Sequence, residues 1–231
     1  MQIQLGALGI KSEKYSISFL TTLRNIHSDL VRYRLTEHRS YPALLIMSPG
    51  MIAGIYYRIG HWLWHTRAIP VLFLVILRPL YLLGKRLIEV YCGISVSPRA
   101  KIGRGFYIEN FGSIYVGPSI IGDNCSLCQE VSIGSVADKD SSDIPVLGDR
   151  VFIGAGAKVT EPVSVGNDVA IGANAVVMAD LADCAVAVGV PAKTVSYKGS
   201  FEFVLYDTMN TDPKRLKNFY ERDRSAVFNE V

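Results

Sequence analysis

Few side chains in this 231-residue chain are placed to do chemistry, and their spacing limits each of them. His61 and His65 stand four apart in a stretch of helical periodicity, so both rings share a face and offer two nitrogens to a metal. No carboxylate stands beside them and no third ligand is in reach, so packing among Trp62 and Trp64 is the expected role. Cys125 and Cys128 have the spacing of half a zinc site. Cys125, however, falls on a small, inward position of a local repeat, so the two thiols are expected to point apart. All four histidines (His27, His38, His61 and His65) precede residue 66, and residues 94–195 contain none. A zinc site made of three histidines on the repeats is thereby excluded. No glycine-rich strand-to-helix opening precedes the repeats, which excludes a fused nucleotidyltransferase.

The elements that must position these residues are of two kinds. Residues 12–65 carry apolar residues at helical spacing, as in Leu20, Leu23, Ile26 and Leu30, with Pro42 and Pro49-Gly50 as punctuation. Near Gly93 a six-residue period takes over. Its aliphatic positions are Val96, Ile102, Ile108, Ile121, Leu127 and Ile133, and then Leu147, Ile153, Val159, Val165 and Ile171. A hexapeptide period predicts a parallel β-helix: three short strands make one coil, each aliphatic side chain points inward, and small residues permit the corners. Two breaks interrupt it. Ile108 to Ile121 spans thirteen residues, so one is extra. Ile133 to Leu147 spans fourteen, and the polar SVADKDSSD within it should leave the coil as a loop. If the Leu127 strand stacks on the Ile108 strand, Cys128 lies on Glu109 and Gln129 on Asn110. A carboxylate there would raise the thiol's pKa and weaken it as a nucleophile, so Cys128 is read as packing.

Charge divides the chain in the same places. Lys plus Arg minus Asp plus Glu gives 11 − 4 = +7 for residues 1–93, 7 − 11 = −4 for 94–195, and 6 − 6 = 0 for 196–231. Three regions follow: a basic, apolar helical region (1–93), the β-helix (94–195) and a C-terminal extension (196–231) that caps the solenoid or crosses to a neighbour. With 49% hydrophobic and 19% charged residues the chain is no disordered tail, and a net charge of +3 gives nucleic acid no purchase. Four cysteines without a signal peptide read as free thiols of a cytoplasmic protein. The most apolar window, Ala68–Leu77, is too short to span a bilayer and is followed by Arg78, Lys85 and Arg86. Residues 68–86 are therefore either a helix buried between subunits or a segment lying on the inner face of an anionic membrane.

KIGRG, IGDN, VSIG, IGAGAKV, IGANAVV and GVPAK, with the helical YRIGHWLW at 57–64, resemble the hexapeptide-repeat acyltransferases. More narrowly they are similar to the serine acetyltransferase group and its relatives in bacterial surface-polysaccharide gene sets. The resemblance implies a left-handed β-helix, a homotrimer with sites between subunits (pairing of trimers left open), acetyl-CoA or another acyl-CoA as donor, and no metal. On the donor side it implies that Gly154, Ala155 and Ala173 let backbone approach the pantetheine arm, with Lys158 and Lys193 near the CoA phosphates.

On the acceptor side this chain departs from the group. The group's Asp-His pair falls on Glu109-Asn110, so the general base is replaced by an amide that cannot take a proton near neutral pH. The orienting carboxylate falls on Ser95, the loop Arg-His-Pro on Asp143-Ile144-Pro145, and the Asp-Pro-Ala on Tyr41-Pro42-Ala43. Glu109 and Asn110 are thus the candidate catalytic positions. The expectation is an O- or N-acyltransferase acting on a surface-polysaccharide sugar or its lipid-linked precursor. Its alternatives are a catalytically silent trimer serving as a scaffold, and a serine O-acetyltransferase with an atypical site.

Overall fold

The computed structural model describes residues 18–66, 70–109, 111–134 and 144–228. Helix α1 (Phe19–Glu37) opens where the Ser18 side chain accepts the Thr21 N–H at 3.0 Å, a cap that satisfies one donor of the first turn. Helices α2 (Tyr41–Met47) and α3 (Pro49–His65) each begin with proline in the first turn, where its missing N–H costs nothing. Helix α4 (Val71–Cys92) ends at Gly93 in the left-handed region (φ 66°), whose N–H bonds the Glu89 carbonyl at 2.9 Å. A side chain at Gly93 would also meet the Gly112 Cα at 3.0 Å, so glycine is needed twice over. The expected helical stretch is thus three helices, and its residues 12–17 lie outside the described ones. Among the described residues no single helix is long and apolar enough to cross a membrane.

The rest is a parallel β-solenoid of about four turns, the left-handed β-helix of the hexapeptide repeat. Strands β1 (Ile94–Val96), β4 (Ile114–Val116), β7 (Ser132–Ile133) and β10 (Lys158–Val159) form one wall. Strands β2 (Lys101–Ile102), β5 (Ile120–Ile121), β8 (Val146–Leu147) and β11 (Ser164–Val165) form the second. The third runs β3 (Tyr107–Ile108), β6 (Ser126–Leu127), β9 (Phe152–Ile153), β12 (Ala170–Ile171), β13 (Val186–Val188) and β14 (Lys193–Ser196), with only the last pair antiparallel. Each rung stacks on its like, as Ile108 on Leu127, Ile153 and Ile171, and all of these are buried. The aliphatic period becomes the core by this stacking.

The first break does add one residue, divided between two corners. The rung after Ile108 is Val116, eight residues on (116 − 108), and the next is Ile121, five on (121 − 116). One corner, 109–113, is widened by two residues and the next is shortened by one. The expected polar loop, 135–143, lies outside the described residues.

The solenoid's first coil has no coil beneath it, and helical side chains supply the missing partners. The Tyr33 hydroxyl donates to the Ile108 carbonyl and accepts the Ile108 N–H, each at 3.0 Å. Tyr57 does the same for the Ala100 carbonyl (2.8 Å) and the Ile102 N–H (3.2 Å). Asp29 accepts the Phe106 N–H at 2.8 Å and pairs with Arg58 at 2.9 Å, while Arg58 donates to the Ile102 carbonyl at 2.6 Å. Arg32 donates to the carbonyls of Gly105 and Cys125.

The C-terminal extension packs along the coils of its own chain. After β14 it turns back along the outside of the coils into α5 (Pro213–Phe228). Ser200 donates to the Arg150 carbonyl (2.6 Å), Asn218 to Asp168 (2.7 Å), and Phe203 stacks on Phe152 with ring centroids 4.7 Å apart. The buried Arg150–Asp168 pair, at 2.7 Å, anchors this strap.

Candidate active site

The third wall fixes the site through its register. Because Ile108, Leu127, Ile153 and Ile171 stack, the residues that follow them stack as well: Glu109 under Cys128, Gly154 and Gly172. The ladder continues into the corner through Glu109 N–H to the Leu127 carbonyl (2.8 Å), Cys128 N–H to Ile153 (3.0 Å) and Gly154 N–H to Ile171 (2.8 Å). One residue further, Gln129, Ala155 and Ala173 form a second column, tied by the Asn174 N–H to the Ala155 carbonyl at 2.8 Å. The expected donor residues Gly154, Ala155 and Ala173 therefore share one edge of the prism with Glu109. A side chain on Gly154 would lie 2.8 Å from the Ala173 nitrogen, so stacking itself demands glycine there. Ala155 is half-buried and Ala173 exposed, which leaves a low, smooth ridge that a ligand can follow.

Lys158 and the GVPAK segment top the adjoining wall. Lys158 bridges to Val176, whose N–H bonds the Gly189 carbonyl (3.0 Å) and whose carbonyl accepts the Ala192 N–H (2.8 Å). The Lys158 ammonium donates to the Glu130 carbonyl (2.6 Å) and to Ser132 Oγ (3.2 Å). Lys193 is exposed on β14.

On the acceptor side the Cys128 thiol donates to the Glu109 carboxylate at 2.9 Å. Burial, reinforced by Glu109, pushes that thiol up to about 12, so it is a neutral hydrogen-bond donor at working pH and no nucleophile. Cys125 points inward to the Gly148 carbonyl at 3.3 Å, and the two thiols do point apart. A cavity of about 390 Å³ opens beside Glu109, between the start of α3 and the first coil, and is walled by Glu37, Arg39, Ser48, Tyr107 and Phe111. It presents two carboxylates and one guanidinium, with Glu37 paired to Arg39 at 3.5 Å and accepting from Ser48 Oγ at 2.7 Å. Asn110 lies outside the described residues, as does Asp143.

Glu89 is the residue that sequence reasoning missed. Ser95, which stands where the related group has an orienting carboxylate, donates its hydroxyl to Glu89 at 2.6 Å. A carboxylate thus meets Ser95 from the last turn of α4. Burial opposes its ionisation, but the Ser95 hydroxyl, Lys85 (3.2 Å) and Arg86 (2.8 Å) together hold it below the usual carboxylate range. The only signal in the sequence was a Lys85–Glu89 spacing of four, which every solvated helix can show.

The helical histidines are occupied as packing groups: His61 Nδ1 bonds the Pro98 carbonyl at 2.9 Å and His65 Nδ1 the His61 carbonyl at 2.8 Å. Among the described residues no three His, Cys, Asp or Glu side chains are grouped to hold a metal.

Comparison with known proteins agrees with this geometry. Residues 144–179 match the family model described as "Bacterial transferase hexapeptide (six repeats)". A serine acetyltransferase of Helicobacter pylori strain J99 is 39% identical over 154 residues, which is 66% of this chain and 85% of that protein. The soybean serine acetyltransferase apoenzyme superposes with a TM-score of 0.66 at 29% identity, covering 76% of this chain and 69% of that one. A serine acetyltransferase solved in complex with CoA superposes with a TM-score of 0.65 at 27% identity, covering 84% and 73% respectively.

Proposed function

The chain belongs to the serine acetyltransferase family, and from that premise we propose that it transfers an acetyl group from acetyl-CoA to the hydroxyl of a small acceptor, serine being the first to try. The donor half rests on a relative that binds CoA and on the small-residue edge that runs through Gly154, Ala155 and Ala173. The acceptor half rests on one observation above the others: the Glu109 carboxylate stands on that same edge and opens into the cavity of Glu37 and Arg39. The polysaccharide sugar expected from the sequence has no support in the names of these relatives, and the serine alternative fits them better.

The chemistry needs a group to receive a proton. The acceptor oxygen attacks the thioester carbonyl, its proton passes to a base, the C–S bond breaks and CoA leaves as the thiol. With no histidine in residues 94–195, Glu109 takes the base's part, held by the Cys128 thiol at 2.9 Å. Glu89, through Ser95, returns a carboxylate to the first wall. A homotrimer would place a second subunit against this edge.

Two measurements test the reading. Acetyl-CoA should raise the melting temperature by mass action, and free thiol should then appear on adding L-serine. Absence of acetyl-CoA binding by calorimetry would leave the silent, scaffolding trimer as the better description. Thiol release with a sugar acceptor and none with serine would restore the glycan.

A further inference from the structure

Helix α4 packs one narrow stripe and leaves the rest of its circumference bare. Leu74, Tyr81 and Cys92 are buried, and Arg78, Lys85, Ile88 and Glu89 are partly covered. Phe73, Val75, Ile76, Leu80, Leu83, Leu87, Val90 and Tyr91 are all exposed, Val90 to 83%. At about 100° per residue these side chains and their neighbours sweep roughly 220° of the helix, along about 27 Å of axis. Arg86 is the only charged side chain in that arc, at one margin and 80% exposed. Single exposed apolar residues are ordinary, but a continuous face of this size marks an interaction surface.

We propose that this face lies in the interfacial layer of an anionic bilayer, with α4 parallel to the membrane plane. The width of the apolar arc selects this occupant. A partner helix packs along one stripe at three- and four-residue spacing and covers about 100°, so a second copy of the chain would leave half of this face wet. Hydrocarbon conforms to a wide arc. Charge agrees as well: α4 carries three cations against Glu89 alone, and Arg86, 80% exposed, lies in the apolar arc itself, while Lys85 pairs with Glu89 and Arg78 lies over the Trp64 ring on the packed side. Cations beside an in-plane apolar face favour anionic headgroups. The helix does not span, since its own charges and Pro79 interrupt the apolar run. This inference is independent of the acyl-transfer reading.

Flotation of the full-length protein with phosphatidylglycerol-containing vesicles tests it, because bound protein rises while aggregates sink. The wild type should float with these vesicles and more weakly with phosphatidylcholine alone. Leu83→Asp with Leu87→Asp should abolish flotation with both. Arg86→Glu should weaken binding to the anionic vesicles at least about fivefold and leave phosphatidylcholine binding unchanged, since each basic residue near an anionic surface contributes about 1 kcal/mol. If the leucine pair fails to melt cooperatively, Val90→Asp with Tyr91→Asp takes its place at still more exposed positions. Failure of the wild type to float, unchanged flotation of the apolar variants, or a change in their oligomeric size without lipid would each overturn the proposal, the last in favour of a contact between copies.

Discussion

At the scale of single residues, the site is a substitution whose geometry can be followed. Residues 94–195 hold no histidine, and the Glu109 carboxylate, the base of the proposed reaction, accepts the Cys128 thiol at 2.9 Å. Glu109→Gln keeps the shape and removes the proton acceptor, so kcat should fall about 10²- to 10⁴-fold with a smaller change in KM. Steady-state thiol release reads both. A fall in KM-limited rate alone would instead make Glu109 a binding residue. The stacking of Cys128 on Glu109 was legible, because the period fixes which residues follow each rung. Glu89 was not legible. Nothing local tells a carboxylate on a helix's last turn that its partner is a serine on the following strand.

At the scale of elements, the solenoid's exposed first coil is closed by side chains in place of a strand. A bare parallel edge invites pairing with other chains, and Tyr33 and Tyr57 blunt it by giving one hydroxyl to both a carbonyl and an N–H. Tyr33→Phe keeps the ring packed on Tyr107 but strands the N–H and carbonyl of Ile108. Unfolding free energy should fall by about 1–3 kcal/mol, measured by denaturant titration, and the Ile108 amide should exchange faster than its neighbours. A loss below a few tenths of a kcal/mol would mean that water replaces the hydroxyl. The aliphatic ladder announced the coils because its period belongs to the backbone. The cap could not be read in advance, since tyrosine at helical spacing looks the same whether its hydroxyl meets water or a strand. The widened corner, 109–113, lay between these cases: the sequence showed a surplus, and only the register of Val116 on Ile133 located it.

At the scale of the whole molecule, the helical layer and the solenoid are joined by buried polar contacts that depend on pH. Burial holds the His61 imidazole down to about 4, against the pull of the Pro98 carbonyl. The unfolded chain therefore binds the proton more readily than the folded one. Stability from this group is whole above about pH 6.5 and is lost as pH falls toward 4, by up to about 3 kcal/mol. The melting temperature should drop across that window, and His61→Gln should flatten the drop. An unchanged slope in that variant would assign the acid sensitivity elsewhere.

The strap that returns along the coils has a consequence for the history of the chain. Solenoids lengthen easily, because a duplicated coil finds the same neighbours as the original. Here the strap is fastened at Arg150 and Asp168 and again near the other end, where Arg32 of α1 holds the Leu205 carbonyl at 3.1 Å. One coil more or less between those fastenings would shift them apart by about 4.8 Å, the distance between stacked strands, which no hydrogen bond survives. The strap acts as a gauge of length: it fits this number of coils, and a duplication between its anchors would have to be matched by new chain in the strap.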